Sequence, residues 1–209
     1  MEACITSVSA GGIGEIIVSF ELRDGEKRST SRFLISDGAY TELSLSVGLS
    51  SEFVYDAVER EANIYAAYKR ALYILGYASS SRRALKQKLV AKGFDAEFTD
   101  LALERLEANG LLCEADFALR EGERCLAKLW GFERIRAHLK EKGYSDSSVN
   151  SVSFAFEDMG IDFDENCASL IKKKYSRIPT DKKELQKLIA SVMRYGYTLS
   201  QIKCALNDM

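Results

Sequence analysis

The chain is poor in the residues that mark several functional classes. It has one proline, Pro179, and one histidine, His138, in 209 residues. With a single helix breaker and abundant Ala, Leu, Lys, Arg and Glu, most of the chain reads as helix. No apolar run approaches the roughly 20 residues that span a bilayer. The N-terminus lacks a basic-then-apolar leader, so the expected location is the cytoplasm. Five cysteines (Cys4, Cys113, Cys125, Cys167, Cys204) are scattered, and none forms a C-x-x-C pair. They read as buried, reduced thiols of a reducing compartment. A zinc site from Cys113, Cys125 and His138 lacks ligand-pair spacing.

Catalytic signatures are also missing. Gly11-Gly12-Ile13-Gly14 has neither dinucleotide-fingerprint spacing nor a suitable preceding strand, and reads as a hairpin turn. There is no Walker loop. Asp162, Asp164 and Glu165 lack the twelve-residue calcium loop and suit an acidic helix start. His138 has no partners of catalytic spacing, so a structural role is expected. The chain reads as a non-enzyme without cofactor or metal. Charge is nearly balanced, with 29 Lys/Arg against 31 Asp/Glu. It is unevenly spread: residues 1–64 hold 5 basic and 11 acidic side chains, and residues 65–209 hold 24 and 20. That basic excess is too small for tight autonomous DNA binding but suits docking on a partner that carries nucleic acid.

What is present is a repeat. Residues 81–94, 131–144 and 184–197 align on Gly93, Gly143 and Gly196. Leu85, Ile135 and Leu188 stand eight residues before the glycine; Leu89, Leu139 and Val192 stand four before it. Phe94, Tyr144 and Tyr197 follow it directly and read as core caps. A period near 50 residues means tandem supersecondary units. Each unit reads as three helices: 64–110, 111–160 and 161–209. Stops are expected at Gly76, Gly93, Gly110 and Gly160, and starts at Ser79–Ser81, Asp95 and Ser145. Three units in a row, each about two helix diameters across, give an elongated, curved array of roughly 60–75 Å.

Residues 1–50 differ. Ile16, Val18, Phe20 and Leu22 alternate with other side chains, Asp24-Gly25 supplies a turn, and Arg32–Ile35 reads as a return strand. A further short strand is expected near Leu43–Val47. The region reads as a small antiparallel sheet, joined to the array by a connecting helix over 51–63. The fold class is therefore mainly α, with three tandem three-helix repeats behind a small β region.

These segments resemble the RecX family, regulators of the bacterial recombinase RecA. The resemblance rests on Ser81-Arg82-Arg83, Leu85, Leu89 and Lys92-Gly93 in the first repeat. It also rests on the junction Leu106-x-x-x-Gly110-Leu111-Leu112-x-Glu114-x-x-Phe117-Ala118. There Cys113-Glu114 keeps only the second residue of the family's acidic pair. Gly131-x-x-Arg134-Ile135-Arg136-x-x-Leu139-x-x-Lys142-Gly143 is similar to the family's most recognisable segment. The N-terminal strands resemble an extension found in part of the family. The third repeat matches least, with Met193-Arg194-Tyr195 in place of the usual Lys-Gly approach. The resemblance implies a regulator, expected to be monomeric, that binds the RecA filament on single-stranded DNA. It would mostly inhibit ATP hydrolysis, strand exchange and coprotease activity, with at most weak direct DNA contact. The candidate contact set is Arg82, Arg83 and Lys86 on the first middle helix, and Arg134, Arg136 and Lys140 on the second. Lys86 and Arg136 are equivalent by alignment, and repeated charge there would form a stripe. A solvated face and a partner contact both fit these residues, and an independent helical DNA-binding module is the alternative function.

Overall fold

A computed structural model describes residues 2–207. Three antiparallel strands, β1 (Glu2–Ala10), β2 (Glu15–Asp24) and β3 (Lys27–Ser36), form a meander in the order β1-β2-β3. Gly11–Gly14 is the β1–β2 turn, and Gly25-Glu26 joins β2 to β3 with positive φ at Gly25. The alternation of β2 puts Val18 and Phe20 on a buried face with Ala3, Ile5 and Ile35. Phe20, Phe33 and Tyr55 meet edge-to-face at 5.2–6.0 Å, closing that core.

The strand expected near Leu43–Val47 does not form. Ser36 Oγ accepts the Ala39 amide at 3.2 Å and starts a short helix, α1 (Asp37–Glu42). Leu45 enters the core from the turn that follows. Residues 48–51 then run back along β1, where Ile5 N donates to Leu49 O and Ser51 N to Ala3 O.

Helix α2 (Glu52–Tyr77) is continuous over 26 residues. The pattern separates a connecting helix at 63 and a stop at Gly76, but no Gly or Pro interrupts 52–75, and Gly76 stays helical. The other helices are α3 (Arg82–Val90), α4 (Ala96–Ala108), α5 (Glu114–Leu126), α6 (Phe132–Glu141), α7 (Asp146–Asp158), α8 (Phe163–Lys174), α9 (Lys182–Met193) and α10 (Leu199–Asn207). Starts at Asp95 and Ser145 cap as the sequence indicates, through side-chain oxygens that accept first-turn amides.

The chain forms two compact bodies, Met1–Ala78 with Leu85–Leu112, and Ser79–Ala84 with Cys113–Met209. In the first, α2 packs on the sheet and on α4, with Ala67 and Ala102 buried at the helix contact. Arg105 grips Glu61 with two hydrogen bonds of 2.6 and 2.9 Å. Two cores lie in the second body among the described residues. One holds Ile135, Leu139, Tyr144, Val152 and Phe156; the other holds Ile171, Leu188, Val192, Tyr197 and Ile202. Tyr144 and Tyr197 are thus core residues. Burial pushes the Tyr144 phenol up to about 12. The five cysteines form no disulfide, but only Cys125 and Cys167 are buried; Cys204 is exposed and departs from the expectation.

The repeat glycines have a second role beside stopping helices. Each has φ between 84° and 91°, and Phe94 and Tyr144 donate their amides back to Leu89 O and Leu139 O. In the second body the turn at each glycine also seats the start of an earlier middle helix. Ser81 Oγ donates to Lys142 O at 2.7 Å, and the Arg83 side chain lies against Gly143. Gly131 N donates to Tyr195 O at 2.7 Å, and a Cβ on Gly131 would come closer than 3.0 Å to the Gly196 backbone. Leu129, at φ 56°, holds a left-handed backbone that packing must sustain; it packs on the third-repeat core, and its carbonyl accepts the Tyr197 hydroxyl at 3.0 Å.

Candidate functional site

Helix α6 organises the candidate surface because its core side is narrow. Ile135 and Leu139 are fully buried. Arg134 and Arg136 flank them, about 200° apart around the axis at 100° per residue. The helix therefore has two basic flanks.

On one flank, the Arg134 guanidinium lies 3.9 Å from the Trp130 ring centre and 5.2 Å from that of Tyr195. Its Nη1 donates to Arg194 O at 3.3 Å. Lys128 Nζ lies 5.4 Å from the Trp130 ring centre, and Lys174 Nζ lies 4.1 Å from that of Tyr195. The result is a ladder of three cations and two rings drawn from α6, α8 and the turns after α5 and α9. Each cation–ring contact is worth about 0.5–2 kcal/mol.

On the other flank, Arg136 is exposed and Lys140 Nζ pairs with Asp146 Oδ1 at 2.8 Å. The hydrogen bond from Lys140 holds the Asp146 carboxyl below its ordinary value. Arg136 and Lys140 are four apart and share this flank.

Arg82 and Arg83 belong to the second body, where the Ser81–Lys142 bond and Glu114 hold this segment. One carboxylate oxygen of Glu114 accepts the Arg82 amide at 3.0 Å. The other accepts the hydroxyls of Ser145 and Ser148 at 2.6 and 3.0 Å. Glu114 thus caps α3 and α7 together. Burial raises its pKa, but the hydrogen bonds from Ser145, Arg82 and Ser148 outweigh burial and leave it lowered. Arg83 is exposed, with its stem on Gly143. Lys86, in the first body, is paired with Asp100 at 2.6 Å. Among the described residues Arg83 and Arg136 form no ion pair, whereas Lys86 and Lys140 are neutralised.

His138 is half-buried, with Nε2 2.8 Å from Glu121 Oε1. Lys142 reaches the same oxygen at 3.3 Å, and Arg124 holds Oε2 at 3.2 Å. Burial raises the Glu121 pKa, but the contacts from His138, Lys142 and Arg124 leave it lowered. Cys113 lies apart as the residue before α5, and the metal-capable group is Glu121, Cys125 and His138. No helix among the described residues is long and apolar enough to cross a membrane.

The sequence pattern did not disclose Lys128, Trp130, Lys174 or Tyr195. One signal was present: Tyr195 stands where Lys92 and Lys142 precede the other repeat glycines.

A family model described as the RecX first three-helix domain matches residues 67–106. The regulatory protein RecX of Ectopseudomonas mendocina (strain ymp) is 30% identical over 141 residues, 67% of this chain and 92% of that one. That of Halorhodospira halophila is 28% identical over 159 residues, 76% of this chain and 89% of that one. A crystal structure of regulatory protein RecX superposes with a TM-score of 0.77 at 20% identity, covering 98% of this chain and 99% of that one. RecX from Lactobacillus salivarius gives 0.61 at 19%, covering 70% and 96%. With a 30% identical relative covered almost end to end, and the same fold, this chain belongs to the RecX family of regulatory proteins.

Proposed function

We propose that the chain is a non-enzymatic, cytoplasmic regulator that binds, as a monomer, a RecA recombinase filament on single-stranded DNA. It restrains ATP hydrolysis, strand exchange and coprotease activity. Family membership carries this reading. The surface around α6 supports its mode. Arg83 and Arg136 are exposed cations that form no ion pair among the described residues, although the Asp146 charge acts on Arg136, so a carboxylate or phosphate gains them without breaking a close pair. Lys86 and Lys140 must exchange Asp100 and Asp146 for the partner, and a surface exchange of that kind yields little. Arg134 offers a guanidinium already held close to two rings.

The test is co-sedimentation with recombinase filaments, with ATP hydrolysis followed in parallel. Full inhibition by the wild type and weakened binding by Arg83→Glu and Arg136→Glu, at unchanged helix content, are expected. No effect of the wild type up to equimolar ratio overturns the reading, and wild-type binding by both variants removes the surface. The Lys128–Trp130–Arg134–Tyr195–Lys174 ladder favours a second reading, direct binding of single-stranded DNA, because such surfaces combine cations with rings. Its ring faces are already covered by its own cations, which ranks it second. Tight binding to naked single strands that falls steeply with salt would reverse that order.

A further inference from the structure

We propose that Glu121, Cys125 and His138 form a binding site for one borderline-soft divalent transition metal of the zinc class. The proposal goes beyond filament regulation and does not rest on it. Glu121 and Cys125 are four apart on α5 and share a face, and α6 brings His138 to that face. The carboxylate oxygen, the thiol sulfur and the imidazole nitrogen lie within 4.8 Å of one another. A thiolate, an imidazole and a carboxylate are donors that zinc and cobalt accept and that magnesium and calcium do not favour as a set. Three protein ligands leave a fourth tetrahedral position for water, which the partial exposure of Glu121 and His138 admits.

The surroundings hold these donors in place. Arg124 takes Oε2 of Glu121 and leaves Oε1 facing His138. The Trp130 ring stands edge-on to His138 at 5.4 Å and fixes the imidazole plane. Such outer contacts orient metal ligands. Lys142 Nζ sits 3.3 Å from Oε1, so the fold already places a positive charge at this carboxylate; its side chain is half-exposed and can turn to solvent when a metal takes that place. The Cys125 thiol makes no hydrogen bond among the described residues. Burial, with the neighbouring Glu121, pushes its thiol up, so the metal itself must displace the proton. On binding, the S–H proton leaves to solvent and a sulfur–metal bond forms, with no change of oxidation state. The ion would brace the α5–α6 corner beside Trp130.

The experiment is titration of the purified full chain with Co²⁺ alone, read by absorption. The expected result is one equivalent bound, with tetrahedral cobalt bands and a thiolate-to-cobalt charge-transfer band that Zn²⁺ abolishes by competition. Cys125→Ser should lose that band, whereas Cys113→Ser and Cys204→Ser should keep it. His138→Gln, half-exposed and therefore expected to fold, should bind at least about tenfold more weakly, and Zn²⁺ should raise the Tm of the wild type but not of this variant. No charge-transfer band in the wild type, or a band that survives Cys125→Ser, overturns the proposal. Should Cys125→Ser fail to fold, wild-type affinity and spectrum in His138→Gln overturn it equally.

Discussion

Alanine at four glycines separates two jobs that the repeat gives them. Gly93 has positive φ, and nothing lies within 4 Å of the point where a methyl group would stand, so its replacement costs only backbone strain, about 1–2 kcal/mol. Gly143 adds contacts of 3.1–3.3 Å to the Ser81 hydroxyl and the Arg83 stem, which can shift. Its cost rises to about 1–3 kcal/mol. At Gly196 the new methyl meets Arg134 backbone and Cβ closer than 3.0 Å. Overpacking and a weakened Gly131–Tyr195 hydrogen bond bring the total to roughly 3–6 kcal/mol. Gly131 is the control. Its φ of −73° suits any residue, so Gly131→Ala tests the seat alone and costs about 2–4 kcal/mol. Urea unfolding followed by circular dichroism gives the order, and hydrogen exchange at the Gly131 amide localises the damage. A cost below about 0.5 kcal/mol for Gly131→Ala, the level of an ordinary surface change, would refute the seat. So would Gly93→Ala as the most damaging of the four.

Glu114→Gln should cost about 1–3 kcal/mol at neutral pH by weakening the shared cap, and should speed exchange of the Arg82 amide. Because the folded Glu114 carboxyl titrates below its unfolded value, its contribution is full above the unfolded value and is lost as pH falls through the folded one. Urea midpoints taken down through the carboxylate range should therefore fall more for the wild type than for Glu114→Gln. Arg105→Lys should cost about 1–2 kcal/mol, since an ammonium cannot reproduce the two-bond grip on Glu61; equal midpoints for the two proteins would count against it. Tyr197→Phe should cost about 0.5–1.5 kcal/mol through the lost bond to Leu129 O, measured by the same unfolding curve.

What could be read from the residues was local. Leu85, Ile135 and Leu188 declare a core by spacing before a glycine. Asp95 and Ser145 declare helix starts because their oxygens serve amides two or three residues on. The failures came where a tertiary partner decides. Leu43 and Leu45 look like a strand until Ser36 and Asp37 start a helix that spends those residues on a turn. The stop at Gly76 is one residue early, since α2 ends at Tyr77, but the break at 63 does not exist because α2 runs through it. Arg134 meets Tyr195 across 61 positions, and no local pattern carries that pairing. Likewise Cys113, Cys125 and His138 show no ligand spacing in the sequence, and the group that the structure brings within 4.8 Å is Glu121, Cys125 and His138, with Glu121 one helical turn before Cys125.

Charge repetition in this chain follows the joints between repeats. Alignment pairs Lys86 with Arg136, yet Lys86 is neutralised by Asp100 while Arg136 forms no ion pair among the described residues, so equivalence in the alignment does not give equivalence in charge. The two arginines that do share a structural setting are Arg83 and Arg134. Each sits in the first turn of a middle helix, and each lies against the glycine turn of the following repeat, at Gly143 and Gly196. Arg83 brings its Cβ and Cδ, and Arg134 its Cβ and backbone N, to the bare glycine, so each arginine is placed by the same contact that stacks the helices. The seat differs in tightness: the first accepts the Ser81 side chain, whereas the second admits no side chain at Gly131. The tighter joint is also the one where the guanidinium is held between Trp130 and Tyr195. Stability and the proposed partner contact would thus be coupled most strongly at Arg134 and least at Arg83. A loss of filament binding in Arg83→Glu therefore reports on the surface itself, whereas the same loss in Arg134→Glu counts only when exchange at the Gly131 amide is unchanged.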